Sequence, residues 1–145
     1  MATSTKHDEL SIVRTEHPNA THLREGFAAF ARGDLDTVRA DMAETCIWTN
    51  GGTSAVAGTF TGWDEISGMF GTLFEMTGGT LSMNVVSAIA DDTHAVAIYD
   101  STSTVGGVTE TNRFVLIDEF DAEGKIRSTQ NLAYDQAKAD AHAAR

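Results

Sequence analysis

The chain has 145 residues, a formal charge of −11, one cysteine and no apolar run approaching the roughly 18 residues of a membrane helix. Between Arg39 and Arg113 there is no lysine or arginine, while Asp41, Glu44, Asp64, Glu65, Glu75, Asp91, Asp92, Asp100 and Glu110 all fall there. Such a surface repels nucleic acid and anionic membranes, and a single cysteine, Cys46, excludes an internal disulfide.

The length suits one domain, without repeats or a dividing linker. Residues 1–16 read as a polar arm without periodicity and without the apolar stretch of a signal peptide, which leaves a cytoplasmic location by default. Asn19, after Pro18, is placed to cap a helix. Leu23, Phe27, Phe30 and Ala31 recur at the helix period up to Gly33. Asp34 caps a second, shorter helix carrying Leu35, Val38 and Met42. Cys46 to Thr49 reads as a short strand, in which Cys46 is a small buried residue rather than a nucleophile. Asn50-Gly51-Gly52 turns, and Ser54 to Phe60 is extended, with a bend at Gly58. Thr61, with Asp64 three residues on, predicts a capping box for a third helix. Trp63, Ile66, Met69, Phe70, Leu73 and Phe74 give that helix a broad apolar face, and Gly78-Gly79 stops it.

From Thr80 the pattern changes to long strands. Apolar blocks at Leu81–Ile89, Ala95–Tyr99, Phe114–Phe120 and Ile126–Tyr134 are separated by turn signals at Asp91-Asp92, Gly106-Gly107 and Glu123-Gly124. The third strand is apolar on both faces in its middle, which requires cover on both sides. The alanine-rich tail after Asp135 reads as a frayed helix. The sum is an α+β cone: a strongly curved, mostly antiparallel sheet packed against about three N-terminal helices. The domain spans residues 17–137, and 138–145 form a tail.

Several of these runs resemble a known family. Asn19…Phe27-Ala28-Ala29-Phe30-Ala31-Arg32-Gly33-Asp34-Leu35 is similar to the opening helix and turn of the SnoaL-like polyketide cyclase and ketosteroid isomerase-like branch of the NTF2-like superfamily. So are Asp41…Ile47-Trp48 and Ala57-Gly58-Thr59-Phe60-Thr61-Gly62-Trp63-Asp64-Glu65-Ile66. The stretch Asp118–Ile126, ending Gly124-Lys125-Ile126, looks like the family's last hairpin. The resemblance covers about residues 17–137 and implies a deep apolar pocket inside the cone, often with a dimer made across the sheet. It also implies where catalytic groups would stand. The isomerases place a base near what is Thr49 here and a protonated acid near Leu116. The cyclases place a histidine at Thr49 and an arginine at Gln130. Thr49, Leu116 and Gln130 themselves carry none of those groups.

The residues themselves offer a modest set of candidates. Trp48, Trp63, Phe70, Phe74 and Tyr99 form an aromatic set suited to a pocket, each with an alternative as ordinary packing. Asn112 and Gln130 are neutral polar residues on apolar strands, and need partners if buried. Asp100 is the strand acid that would become a raised-pKa catalytic carboxylate under a covering cone, or a solvent-facing residue at the strand's polar end. No cluster has metal-ligand spacing, nothing resembles a phosphate loop, and no histidine sits at a depth that suits a serine triad. No cofactor is expected. The partner expected is a neutral, mostly apolar small molecule (polyketide-, steroid- or terpene-like), bound with or without turnover by a homodimer. The alternatives are a weak isomerase, cyclase or hydratase working through Asp100, and a protein-interaction module with a filled cone.

Overall fold

The computed structural model of the chain describes residues 16–145, so the expected N-terminal arm, apart from Glu16, lies outside the described residues. In chain order the elements are α1 (Pro18–Ala31), α2 (Leu35–Ala40), β1 (Met42–Asn50), β2 (Gly58–Thr61), α3 (Gly62–Thr77), β3 (Ser82–Ala90), β4 (His94–Val105), β5 (Val108–Phe120), β6 (Ile126–Ala133) and α4 (Gln136–Ala143). The six strands form one curled, unclosed sheet in the order β2-β1-β6-β5-β4-β3. All pairs are antiparallel except β1 with β6. This is the expected α+β architecture.

Local chemistry sets the boundaries, with two departures from the expected caps. Pro18 opens α1, and the N–H of Asn19 donates to His17 Nδ1 at 3.1 Å, so histidine rather than asparagine caps the helix. At α3 the Thr61 hydroxyl makes no capping bond. Instead Glu65, four residues on, accepts the Thr61 N–H at 2.9 Å, the role expected of Asp64. Asp34 caps α2 as expected, accepting Thr37 N–H at 3.2 Å. Gly78, at φ 57°, ends α3 in the left-handed conformation that glycine adopts without strain.

Strand alternation sorts the sheet into two faces. Ala95, Ala97 and Tyr99 are buried on the concave side of β4. Across the β4–β5 ladder Tyr99 lies opposite Phe114 and Ser101 opposite Asn112. Across β5–β6, Leu116 lies opposite Asn131 and Asp118 opposite Thr129. A bulge between Val85 and Ser87 bends β3. Buried residues form two groups: Leu23 with Ala95, Ala97, Tyr99 and Leu116, and Cys46 with Ile66, Met69 and Phe70. On the convex side Ile89 and Leu132 are exposed, beside half-buried Val96, Ile98, Val115 and Ile117. Asp135 caps the C-terminal helix by accepting Lys138 N–H at 3.0 Å, and His142 is buried, so this helix packs where the sequence suggests fraying. Among the described residues no helix is long and apolar enough to cross a membrane.

Candidate functional site

A cavity of about 240 Å³ lies between α1, α3 and the concave face of the sheet, with α4 along one side. Its apolar wall includes Leu23 and Phe27 from α1, Met69 and Phe70 from α3, and Phe114 and Leu116 from β5. Against this wall stand three polar groupings.

The first centres on Asp118. Its period-two position on β5 puts it on the same face as Asn112, Phe114 and Leu116, and it is only 3% exposed. Thr129, directly opposite on β6, donates its hydroxyl to Asp118 Oδ1 at 2.6 Å. Burial pushes the carboxyl up to about 7; the negative charge of Asp41 adds to this, and the Thr129 hydrogen bond partly opposes it. Asp41 also lines the cavity, and burial raises its carboxyl too. The buried Cys46 thiol is driven up to about 11 by burial and by the charge of Asp118, an environment that leaves it unreactive.

The second grouping follows from the parallel pairing of β1 with β6, which sets Asn50 opposite Asn131. Trp48 Nε1–H donates to Asn50 Oδ1 at 2.8 Å, and the indole meets Phe70 edge-on at 5.2 Å. Tyr99 donates its hydroxyl to Asn131 Oδ1 at 2.6 Å, and burial raises the phenol's pKa. The amide nitrogen of Asn131 and the whole amide of buried Asn112 make no side-chain hydrogen bond among the described residues. Both line the cavity, so they are free to meet a ligand.

The third grouping lies under α4. His142 Nε2 is 3.1 Å from both the hydroxyl and the carbonyl oxygen of Ser103, and Nδ1 is 3.1 Å from Glu110 Oε2 without hydrogen-bond geometry. Serine, histidine and glutamate thus meet in space. A carbonyl oxygen only accepts, so the nitrogen beside it carries the proton and is no base for the hydroxyl. The trio pins α4 to the β4–β5 ladder, where Ser103 and Glu110 are cross-strand partners.

Of the residues singled out from sequence, Trp48, Phe70, Tyr99 and Asn112 line the cavity together. The other four are placed elsewhere. Asp100 alternates onto the convex face and pairs with Arg113 in a two-pronged bridge of 2.8 and 3.0 Å, which holds its carboxyl below the usual range. Gln130 is exposed on the convex side, opposite Ile117. Phe74 is 66% exposed. Trp63 faces a separate surface groove, with the Arg39 guanidinium 5.9 Å from its ring centre. Asp118, Asn50, Asn131 and the Ser103–His142 contact are the residues sequence reasoning missed. For Asp118 the two-residue spacing from Asn112 through Phe114 and Leu116 was a usable signal. For His142, in a polar tail, there was none. Among the described residues no group of three or more metal-ligating side chains converges.

Comparison with known proteins gives a family profile and a set of similar structures. The profile described as SnoaL-like domain matches residues 23–129. Bal32a, from a soil-derived mobile gene cassette, is 29% identical, with a TM-score of 0.80 over 86% of this chain and 95% of that one. TerC, co-crystallised with polyporic acid, is 17% identical, with a TM-score of 0.78 over 89% of this chain and 100% of its own. RV0760c from Mycobacterium tuberculosis, in complex with estradiol-17beta-hemisuccinate, is 15% identical, with a TM-score of 0.66 over 81% of this chain and 93% of that one. The last two likenesses are of fold alone. No curated protein matches the chain.

Proposed function

The chain belongs to the SnoaL-like domain family, and on that footing we propose that it binds a mostly apolar small molecule, polyketide-, steroid- or terpene-like, in the cavity between helices and sheet. The observation that carries this reading is an open apolar cavity with one buried carboxyl, Asp118, in its wall. An interaction module with a filled cone would not keep such a space. Two proteins of the same fold, TerC and RV0760c, are seen with polyporic acid and a steroid hemisuccinate, which supports a small-molecule ligand here.

One observation favours turnover as a second reading. A carboxyl titrating near 7 is suited to take a proton from an activated C–H and return it. The free amides of Asn112 and Asn131 would steady a developing oxyanion. Isomerase, cyclase or hydratase chemistry would then run through Asp118 rather than Asp100, whose carboxylate is committed to Arg113. The chain is further proposed to form a homodimer through the convex face, where Ile89 and Leu132 are exposed and Val115 and Ile117 only half-buried among the described residues.

A thermal-shift screen of steroids, terpenoids and aromatic polyketides against wild type and Trp48→Ala tests the binding reading. The expected result is a ligand that raises the melting temperature of the wild type and not of the variant. Stabilisation by sugar phosphates or nucleotides, with none by apolar compounds, would overturn it.

A further inference from the structure

The stretch between Arg39 and Arg113 offers no lysine or arginine to clamp an anionic ligand, and the charges in the cavity are negative. Among the described residues its lining contains no lysine or arginine, but includes the carboxyls of Asp41, Asp118 and Asp140. Asp118 is the one set deep in the apolar wall. Thr129 satisfies only its Oδ1; Oδ2 accepts no hydrogen bond among the described residues. Nor is that oxygen sealed off, since among the described residues the one enclosed side-chain atom without a partner is His142 Nδ1. Asp118 Oδ2 therefore opens on the cavity. Asp41 faces the same end and acts on Asp118 as a second negative charge, with His22 Nδ1 3.7 Å from Asp41 and the Lys125 ammonium bonded to the Ala40 carbonyl just outside. Phe27, Trp48, Phe70, Tyr99 and Phe114 supply aromatic rings around the same space, and such rings attract a desolvated cation.

We propose that the ligand's polar group is a basic amine: an apolar molecule whose ammonium N–H donates to Asp118 Oδ2, with Asp41 as the second counter-charge. This rests on reading the cavity as a ligand site, and replaces the expectation of a neutral ligand with a cationic one. The fold has already withdrawn Asp118 from water. An incoming ammonium gives up only its own hydration and relieves a carboxylate that has no positive partner among the described residues of the cavity. A neutral apolar molecule of the same shape would leave that oxygen unpartnered, and an anion would meet like charge.

The test uses three matched probes in isothermal titration calorimetry on the full chain: (2-naphthylmethyl)dimethylamine, its uncharged isostere 2-isobutylnaphthalene, and 2-naphthylacetate. At pH 8 the amine is expected to bind at least about tenfold tighter than the isostere, with the acetate weakest. In Asp118→Asn the amine's advantage over the isostere should disappear. Lowering the pH of the wild type from 8 to 6 protonates Asp118, so the amine should weaken by about tenfold while the isostere stays level. This second readout needs no variant to fold. Equal binding of isostere and amine, an advantage that survives in Asp118→Asn, or amine binding that tightens at pH 6 would each overturn the inference while leaving the cavity reading intact. Failure of all three probes to bind would overturn both.

Discussion

Asp118→Asn is expected to change how stability depends on pH, by an amount the structure sets. The carboxyl titrates near 7 in the folded chain, against a reference value of 3.8. Between those values the folded state holds a proton that the unfolded state has released. The stability linked to this group is thus fully present below pH 4 and is lost as pH rises through 7. At about 1.36 kcal/mol per pH unit, the whole loss is about 4 kcal/mol, of which about 3 kcal/mol falls between pH 5 and pH 8. Asparagine keeps the acceptor that Thr129 uses and cannot ionise, so the variant escapes the loss. Urea unfolding of both proteins at pH 5 and pH 8 isolates this carboxyl, because other titrating groups cancel in the difference. The variant should gain about 3 kcal/mol on wild type between the two pH values. A gain under about 1 kcal/mol would refute the argument that Asp118 is buried and protonated near neutrality.

Three further outcomes follow from the same geometry. Thr129→Val removes the one hydrogen bond that lowers the Asp118 pKa, so a carboxyl ¹³C titration should place its midpoint above that of wild type; an unchanged midpoint would count against the contact. Asp100→Asn breaks an exposed ion pair on the convex face and should leave ligand binding unchanged by calorimetry, whereas a lost ligand would return Asp100 to the site. Ile117→Lys places a charge in the apolar convex patch, and light scattering should then report a monomer where the wild type is expected to give a dimer; a wild-type monomer at micromolar concentration would remove the dimer proposal.

Much of the fold was legible because hydrophobic period and turn chemistry acted locally. Leu23, Phe27 and Phe30 marked α1, and Gly78-Gly79 and Gly106-Gly107 marked turns that need positive φ. The site was less legible, because it depends on which face of each strand turns inward. Asp100 and Asp118 are both strand acids, and only the register separates them. Asp100 shares the convex face with Arg113 opposite, while Asp118 shares the concave face with Thr129. The apolar run Phe114–Ile117 hid that alternation, since Val115 and Ile117 make the outer face as apolar as the inner one. Trp48 and Tyr99 stood out as aromatics and both line the cavity, but the Tyr99–Asn131 bond spans 32 residues, and Asn50 meets Asn131 only through the parallel pairing of β1 with β6. The contact between His142 and Ser103 spans 39 residues and rests on how the C-terminal helix docks, which no local pattern encodes.

The central claim is that the ligand sits inside the cavity rather than on the sheet's outer face. Methyl-labelled methionine and isoleucine distinguish these places, because Met69 and Met83 line the cavity while Ile89 and Ile98 lie on strands' convex positions. With a ligand from the thermal-shift screen, nuclear Overhauser contacts from ligand protons are predicted to Met69 and Met83, and none to Ile89 or Ile98. Contacts to Ile89 and Ile98, with Met69 and Met83 unmoved, would contradict the claim.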